Sequence, residues 1–361
     1  MSNTFILTFE PLDVWIFKDH KPFDAGNHSF GGGGHLPTPA TMYGCIRTAL
    51  MTEYGADFTR RPGFGLNDAA KSWLGDGTRP GTLSISGPVL VRNRSAGGEL
   101  FFPAPLDLPR PFRVASSPFV GWEAEPRPYL PWPKKPESNH KDRSERCVYS
   151  SERISEYLRG RHLDHDRFGY PDIPLNDLYQ GELRVGIARD AGTQTATDHL
   201  LYQVWALRFG EGVGLQVQVD APSSDQARHI RSLQGRSLPL GGKSRRARVE
   251  VREGHLNLPV TPPREGRMRV VLVSPLIPGD VPIPAGLGRL TCLVGDRCLP
   301  AGGFDFAWRR PKPLRPMLPP GTVIDFDEVT DPNAWETWRL GQDEADSRAG
   351  YGLALKGGWN L

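Results

Sequence analysis

Residues 240–251 read LGGKSRRARVEV: a glycine pair, four cations within six residues, then an alternating strand. Gly241 and Gly242 have access to positive φ and permit another backbone to come close. Lys243, Arg245, Arg246 and Arg248 set positive charge beside the amides of that turn. Ala247, Val249 and Val251 alternate with polar residues, which predicts a half-buried strand running straight out of the turn. A flexible glycine turn, amide donors and guanidinium groups on a rigid element suit a phosphodiester backbone. The same residues suit a solvated turn into an edge strand, where cations discourage aggregation. Both readings stay open on this segment alone.

Upstream of the turn, Ser224 is placed to cap a modest helix carrying Ala227, Ile230 and Leu233. Val213, Leu215, Val217 and Val219 alternate with polar or glycine positions. The turn at Gly210–Gly212 leads from residues 200–209 into that strand, so the two are expected to continue or pair. Residues 184–189 (RVGIAR) form a further short strand. At the amino terminus, residues 4–10 predict a strand with Phe5, Leu7 and Phe9 on one face, ended by Pro11. Thr38 then Pro39 mark a helix start, Met42, Cys45, Ile46, Ala49 and Leu50 recur at helical spacing, and Gly55 supplies the stop. Residues 56–180 are the least regular, with a strand candidate at 82–91, a proline-rich stretch at 103–136 and a short helix at 151–159; long insertions are expected there.

The resulting order, β–α–(insertion)–β–β–α–β, is the ferredoxin-like pattern, shared with the RNA-recognition fold. It places the glycine–basic turn between the second helix and the fourth strand. A second unit begins at Met268, with strands at 270–273, 290–294 and 322–326, a helix at 335–340 and a glycine-rich end, GYGLALKGGWN. The expected fold class is α+β. Two ferredoxin-like domains are expected, at 1–260 with an insertion over about 56–180, and at 265–361.

The chain of 361 residues carries a formal charge of +3, too little to establish nucleic-acid binding without local clustering. Charged residues at 24% and apolar residues at 38% fit a globular protein. Cys45, Cys147, Cys292 and Cys298 are scattered, so reduced thiols in a cytoplasm are expected. No signal peptide and no membrane-length apolar run is read.

The triplet Gly242, Lys243, Ser244 is not a phosphate-binding Walker loop: the required earlier glycine is Ser237, and a strand follows, not a helix. Residues 161–166 (RHLDHD) contain a His-Asp doublet, but nothing pairs it with His140 or Asp198 into a metal site. His20, His28 and His35 fall in the glycine-rich loop near the amino terminus, suited to acid–base work on RNA or to plain hydrogen bonding. No triad, nucleophile elbow or dinucleotide fingerprint is present. No cofactor and no metal are expected.

Residues 11–26, PLDVWIFKDHKPFDAG, resemble the amino-terminal signature of subunit three of the Cmr-type (type III-B CRISPR) effector complex, a RAMP-superfamily family. The resemblance continues through PTPATMYGCIRTAL, RVGIARD, LLYQVWALRF, LGGKSRRARVEV and GYGLALKGGW, in family order. It implies a non-catalytic subunit of an RNA-guided complex that holds the 5′ handle of the CRISPR RNA. The implied neighbours are the large Cas ten-type subunit and the backbone RAMP subunit. By matching position, the implied RNA contacts are Lys18, His20 and Lys21 in the loop after the first strand, and Arg47 on the first helix. Gly241, Gly242, Lys243, Ser244, Arg245, Arg246 and Arg248 in the turn complete the set. Two rivals remain: a metal-independent repeat-cleaving endonuclease using His28 or His35, and a scaffold that touches only protein.

Overall fold

Strand β1 (Asn3–Pro11) carries Phe5, Leu7 and Phe9 on one face and Ile6 and Thr8 on the other, and all five are buried. A strand buried on both faces needs a layer on each side, and that need organises the molecule. The computed structural model describes residues 3–18, 30–31, 35–93, 97–107, 112–114, 131–133, 147–160, 173–261, 266–278, 288–329, 340 and 343–358.

After β1 come β2 (Phe30–Gly31), α1 (Pro39–Glu53), α2 (Asp68–Leu74), β3 (Ile85–Arg92) and β4 (Glu99–Pro103). The pair β5 (Phe112–Val114) and β6 (Pro131–Pro133) precedes β7 (Cys147–Ser150), α3 (Ser151–Leu158) and β8 (Ile173–Pro174). Next are β9 (Tyr179–Arg189), β10 (Ala196–Phe209), β11 (Val213–Ala221), α4 (Ser224–Arg231), β12 (Ser237–Pro239) and β13 (Arg246–Glu253). The main sheet has eight strands in the order β12-β13-β1-β11-β3-β4-β7-β8. Its centre, β13-β1-β11-β3, is antiparallel throughout.

Local chemistry sets the helices on the Phe5 face. Thr38 accepts a hydrogen bond from the Thr41 amide, Pro39 opens the first turn, and Met42, Ile46 and Leu50 face the core at four-residue spacing. Helix α4 begins with a reciprocal capping box between Ser223 and Gln226, so Ser223, not the expected Ser224, is the cap. Ala227 and Ile230 join the same core.

Two expectations about strands change. Residues 200–209 do not pair with 213–219, because both edges of β11 are occupied, by β1 and by β3. Strand β10 pairs with β9 instead, and β2 lies parallel beside Gln203 and Val204. The strand that completes the central four is β3, expected as a strand at 82–91 but counted with the insertion. Its Gly87–Pro88 dipeptide interrupts the alternation, and it is buried on both faces, so no period-two signal survives.

The second unit contains β14 (Met268–Leu272), β15 (Arg289–Val294), β16 (Leu299–Ala301), β17 (Phe304–Asp305), β18 (Arg310–Pro311), β19 (Arg315–Met317), β20 (Val323–Asp327), α5 (Glu344–Arg348) and β21 (Ala354–Gly357). Its sheet runs β15-β20-β14-β21. Counted along the chain, its strands stand in the order two-three-one-four. The central strands β1, β3, β11 and β13 of the first sheet give the same order. The helix expected over 335–340 falls, except for Leu340, outside the described residues.

The two sheets meet face to face. Ile6, Val89 and Val91 from the first pack with Val271, Val323 and Leu355 from the second, with Ile154, Tyr157 and Leu158 of α3 in the same cluster. A buried polar group pins this junction. Arg269 forms a two-point bridge to Asp325 (both 2.8 Å), and Tyr157 donates to Asp107 (2.8 Å), which also faces the Arg269 guanidinium at 3.5 Å. Burial raises the Asp107 carboxyl above the usual range while Arg269 opposes that rise. Among the described residues, no helix is long and apolar enough to cross a membrane.

Candidate nucleic-acid interface

The turn joins β12 to β13, with β13 hydrogen-bonded on its other side to β1. The Leu240 amide donates to Arg245 O (2.8 Å) and the Arg245 amide to Gly242 O (3.3 Å), so Lys243 and Ser244 occupy the two central positions. Both have positive φ, +56° and +57°, as the primed hairpin turn demands. Non-glycine residues there cost roughly 1–2 kcal/mol each. Gly241 has φ +89°, whereas Gly242, expected to share that freedom, does not stand in the left-handed region. The glycines serve contact more than curvature: a Cβ on Gly241 would lie 2.8 Å from Ile16 O, and the Gly242 amide donates to that same oxygen at 2.7 Å.

Ile16 belongs to a strap, residues 12–18, wedged between the turn and the β9–β10 hairpin. Trp15 is fully buried and exchanges two backbone hydrogen bonds with Leu207 (3.0 and 2.7 Å). Its indole N–H donates to Arg246 O (3.2 Å), and its ring meets Phe209 edge-on at 4.8 Å. Val14 and Ile16 pack on Val204 and Ala206. The turn is therefore seated on a packed base.

Charge gathers around this strap. The Asp13 carboxylate takes Arg245 at 2.5 Å and has Arg184 at 3.7 Å and Arg208 at 3.9 Å. Glu182 accepts from Arg208 (2.7 Å) and Arg184 (2.8 Å), and these two donors hold its carboxyl below the usual range. Three guanidinium groups thus share two carboxylates. The Lys243 ammonium sits 3.5 Å from the centre of the Tyr202 ring, a cation–π contact. Tyr202 reaches that place because Gly186, opposite it on β9, leaves the space: a Cβ there would fall 2.2 Å from the ring.

The expected site residues separate into groups. Lys243, Ser244 and Arg248 are exposed on the turn and β13. The amides of Gly241, Lys243 and Ser244 have no acceptor among the described residues. Arg245 is tied to Asp13, yet its buried Nε has no acceptor among the described residues. Arg246 donates twice to Ser237, to Oγ at 2.7 Å and to the carbonyl oxygen. Lys18 is exposed, two residues beyond Ile16. Arg47 closes the end of α2, donating to Leu74 O (2.5 Å) and Asp76 O (3.1 Å), and burial lowers its pKa. His20 and Lys21 lie outside the described residues, as do His28 and residues 161–166.

Sequence reasoning missed Asp13, Glu182, Arg184, Tyr202 and Arg208. For the last four the signal was the alternation along β9 and β10. Glu182, Arg184, Tyr202 and Arg208 fall on one face of the hairpin, the face turned towards the strap. The opposite face leaves Leu183, Val185, Ile187 and Leu201 exposed.

The model of the CRISPR-associated protein (Cas_Cmr3) family matches residues 7–359. The chain belongs to that family. It is a subunit of the type III CRISPR effector class, with a RAMP-like mixed α/β fold dominated by antiparallel sheet. Among solved structures it is similar to a chain of type III-B Cmr-beta bound to cognate target RNA and AMPPnP (state 1), with TM-score 0.52, 16% identity, and coverage of 89% of this chain and 86% of that one. A second Cmr-beta structure, bound to cognate target RNA, gives TM-score 0.51, 17% identity and the same coverages. No curated protein matches the sequence.

Proposed function

We propose that this family member is a non-catalytic, RNA-binding subunit that holds the 5′ handle of the CRISPR RNA on the 240–248 turn. The observation that carries the reading is the pairing of three unengaged amides, at Gly241, Lys243 and Ser244, with the exposed cations Lys243 and Arg248. Phosphate oxygens take backbone N–H groups and cations together, and such contacts position a strand without reading its sequence. Gly242 and Arg246 act by seating the turn, through Ile16 O and Ser237. Lys18, exposed at the end of the strap, is a further proposed RNA contact, as are His20 and Lys21, which follow it in sequence. Arg47 positions α1 against α2.

The matching strand orders of the two sheets support a pair of ferredoxin-like units, at 1–260 and 265–361. The exposed apolar face of the β9–β10 hairpin supports burial against neighbouring subunits. The large Cas ten-type subunit and the backbone RAMP subunit are the proposed neighbours, in a cytoplasmic complex.

The test is the double variant Lys243→Glu, Arg248→Glu in the reconstituted complex. Guide RNA retention falls, and the salt dependence of binding flattens by about 1.4 log units per log unit for two lost phosphate contacts. Asp13→Asn, which frees Arg245 while Glu182 still holds Arg184 and Arg208, retains RNA at least as well as the unaltered chain. Unchanged RNA content in the double variant would sink the turn as the handle site. Site-specific cleavage of repeat RNA by the isolated chain, lost in His35→Ala, would overturn the non-catalytic reading.

A further inference from the structure

Between β15 and β20 the chain leaves the second sheet as a two-stranded arm. Strands β16 and β19 pair at its base, with Leu299 opposite Met317, and β17 and β18 pair near its tip, with Asp305 opposite Arg310. The Lys312 amide bonds to Gly303 O (2.9 Å) and joins the two pairs into one arm. The outer half reads FDFAWRRPK over residues 304–312, aromatic residues followed by cations.

This tip is rigid and uncovered at once. The Asp305 carboxylate accepts from the amides of Ala307 (3.0 Å) and Trp308 (3.2 Å), which locks the bend. The Trp308 indole donates to Gly77 O (2.8 Å), docking the tip against the first unit. Yet Phe306 is 73% exposed, Trp308 54% and Phe304 47%, with the two phenyl rings edge-on at 5.3 Å. Arg309, Arg310 and Lys312 are exposed and have no carboxylate partner among the described residues. Arg315, at the base, is committed to Asp346 (2.6 and 2.7 Å). Asp305, the tip's one carboxylate, is occupied with amides.

We infer that this arm tip is a second nucleic-acid contact, in which an unpaired base stacks on Phe306 while Arg309, Arg310 and Lys312 take the adjoining phosphates. Exposed rings have no use for water, and unpaired cations have none for an apolar protein face. A single strand supplies both a π-face and phosphates, which is why aromatic side chains in a positive setting bind it with little sequence preference. A duplex keeps its bases stacked inside, so the tip discriminates against it. The preformed bend leaves little ordering cost on binding. This contact is separate from the 240–248 turn and stands or falls independently of it.

The test uses the full chain and a fluorescein-labelled single-stranded oligouridylate of about 12 nucleotides, followed by anisotropy. Phe306→Ala weakens binding by about five- to one-hundred-fold, Phe306→Trp restores it, and Phe306→Leu does not. Replacing Arg309, Arg310 and Lys312 together by alanine lowers the salt slope by about two. A 4-thiouridine probe crosslinks to the peptide containing Phe306. The Lys243→Glu, Arg248→Glu variant, measured in parallel, keeps that crosslink. Affinity, slope and crosslink all unchanged in the arm variants would overturn the inference while leaving the turn untouched. So would arm variants that bind RNA normally but no longer assemble with the other subunits, which would make the tip a protein-docking surface.

Discussion

The turn at 240–246 and the arm tip at 304–312 are both hairpin ends that crowd cations beside non-glycine residues of positive φ, Lys243 and Ser244 in one and Arg309 in the other. They differ in what lies behind them. The turn rests on the strap through the Gly242 amide, Trp15 and the Asp13 carboxylate, so Arg245 and Arg246 are already engaged. The tip is held by Asp305 and one indole hydrogen bond, and its cations are uncommitted. A count of positive charges ranks the two as equals, with three cations in each. The partners of those charges show that two of the turn's arginines do structural work, whereas the arm keeps three cations for a ligand.

The largest test of this contrast is Trp15→Ala. Removing a fully buried indole from the base of the turn should cost about 3–5 kcal/mol, read by urea denaturation. Binding at the turn should fail with it, while the crosslink at Phe306 persists under conditions where the variant is folded. Loss of both would mean that turn and arm are one coupled unit. Gly241→Val comes next, at about 2–3 kcal/mol, since it adds left-handed strain and sets a Cβ 2.8 Å from Ile16 O. A thermal shift as small as that of an exposed-loop substitution would show that the strap does not support the turn. Smallest is Ser244→Gly, which relieves a positive φ and should gain about 0.5–1 kcal/mol in thermal unfolding. The same change at Arg309 should gain as much stability yet reduce RNA affinity. If Ser244→Gly destabilises, the backbone at the turn differs from the primed form.

Much of the frame was readable from residues alone. Thr38, Pro39 and Gly55 bracket α1, and alternation marks β1, β11 and β13, because capping chemistry and facial burial are local. β3 was legible as a strand at 82–91 but not as a member of the central four, since a strand enclosed on both faces and broken by Gly87–Pro88 has no alternation to mark which face meets the core. The turn's cations were legible as a cluster, but their partners were not. Arg245 meets Asp13 across 232 positions of sequence, and the alternation that groups Arg184 with Arg208 names a face without naming what faces it.

The sequence by itself determined which residues turn inward, where helices begin and end, and that positive charge gathers after Leu240. Only the tertiary structure decided which strands are neighbours and which cations are spent. Every strand offers the same N–H and C=O groups along its edges, so alternation cannot choose a partner; the two occupied edges of β11 chose β9 for β10. In the same way a guanidinium is free or engaged according to the carboxylate that folding brings within reach, and Asp13 is brought to the turn while no carboxylate among the described residues is brought to Arg309, Arg310 or Lys312.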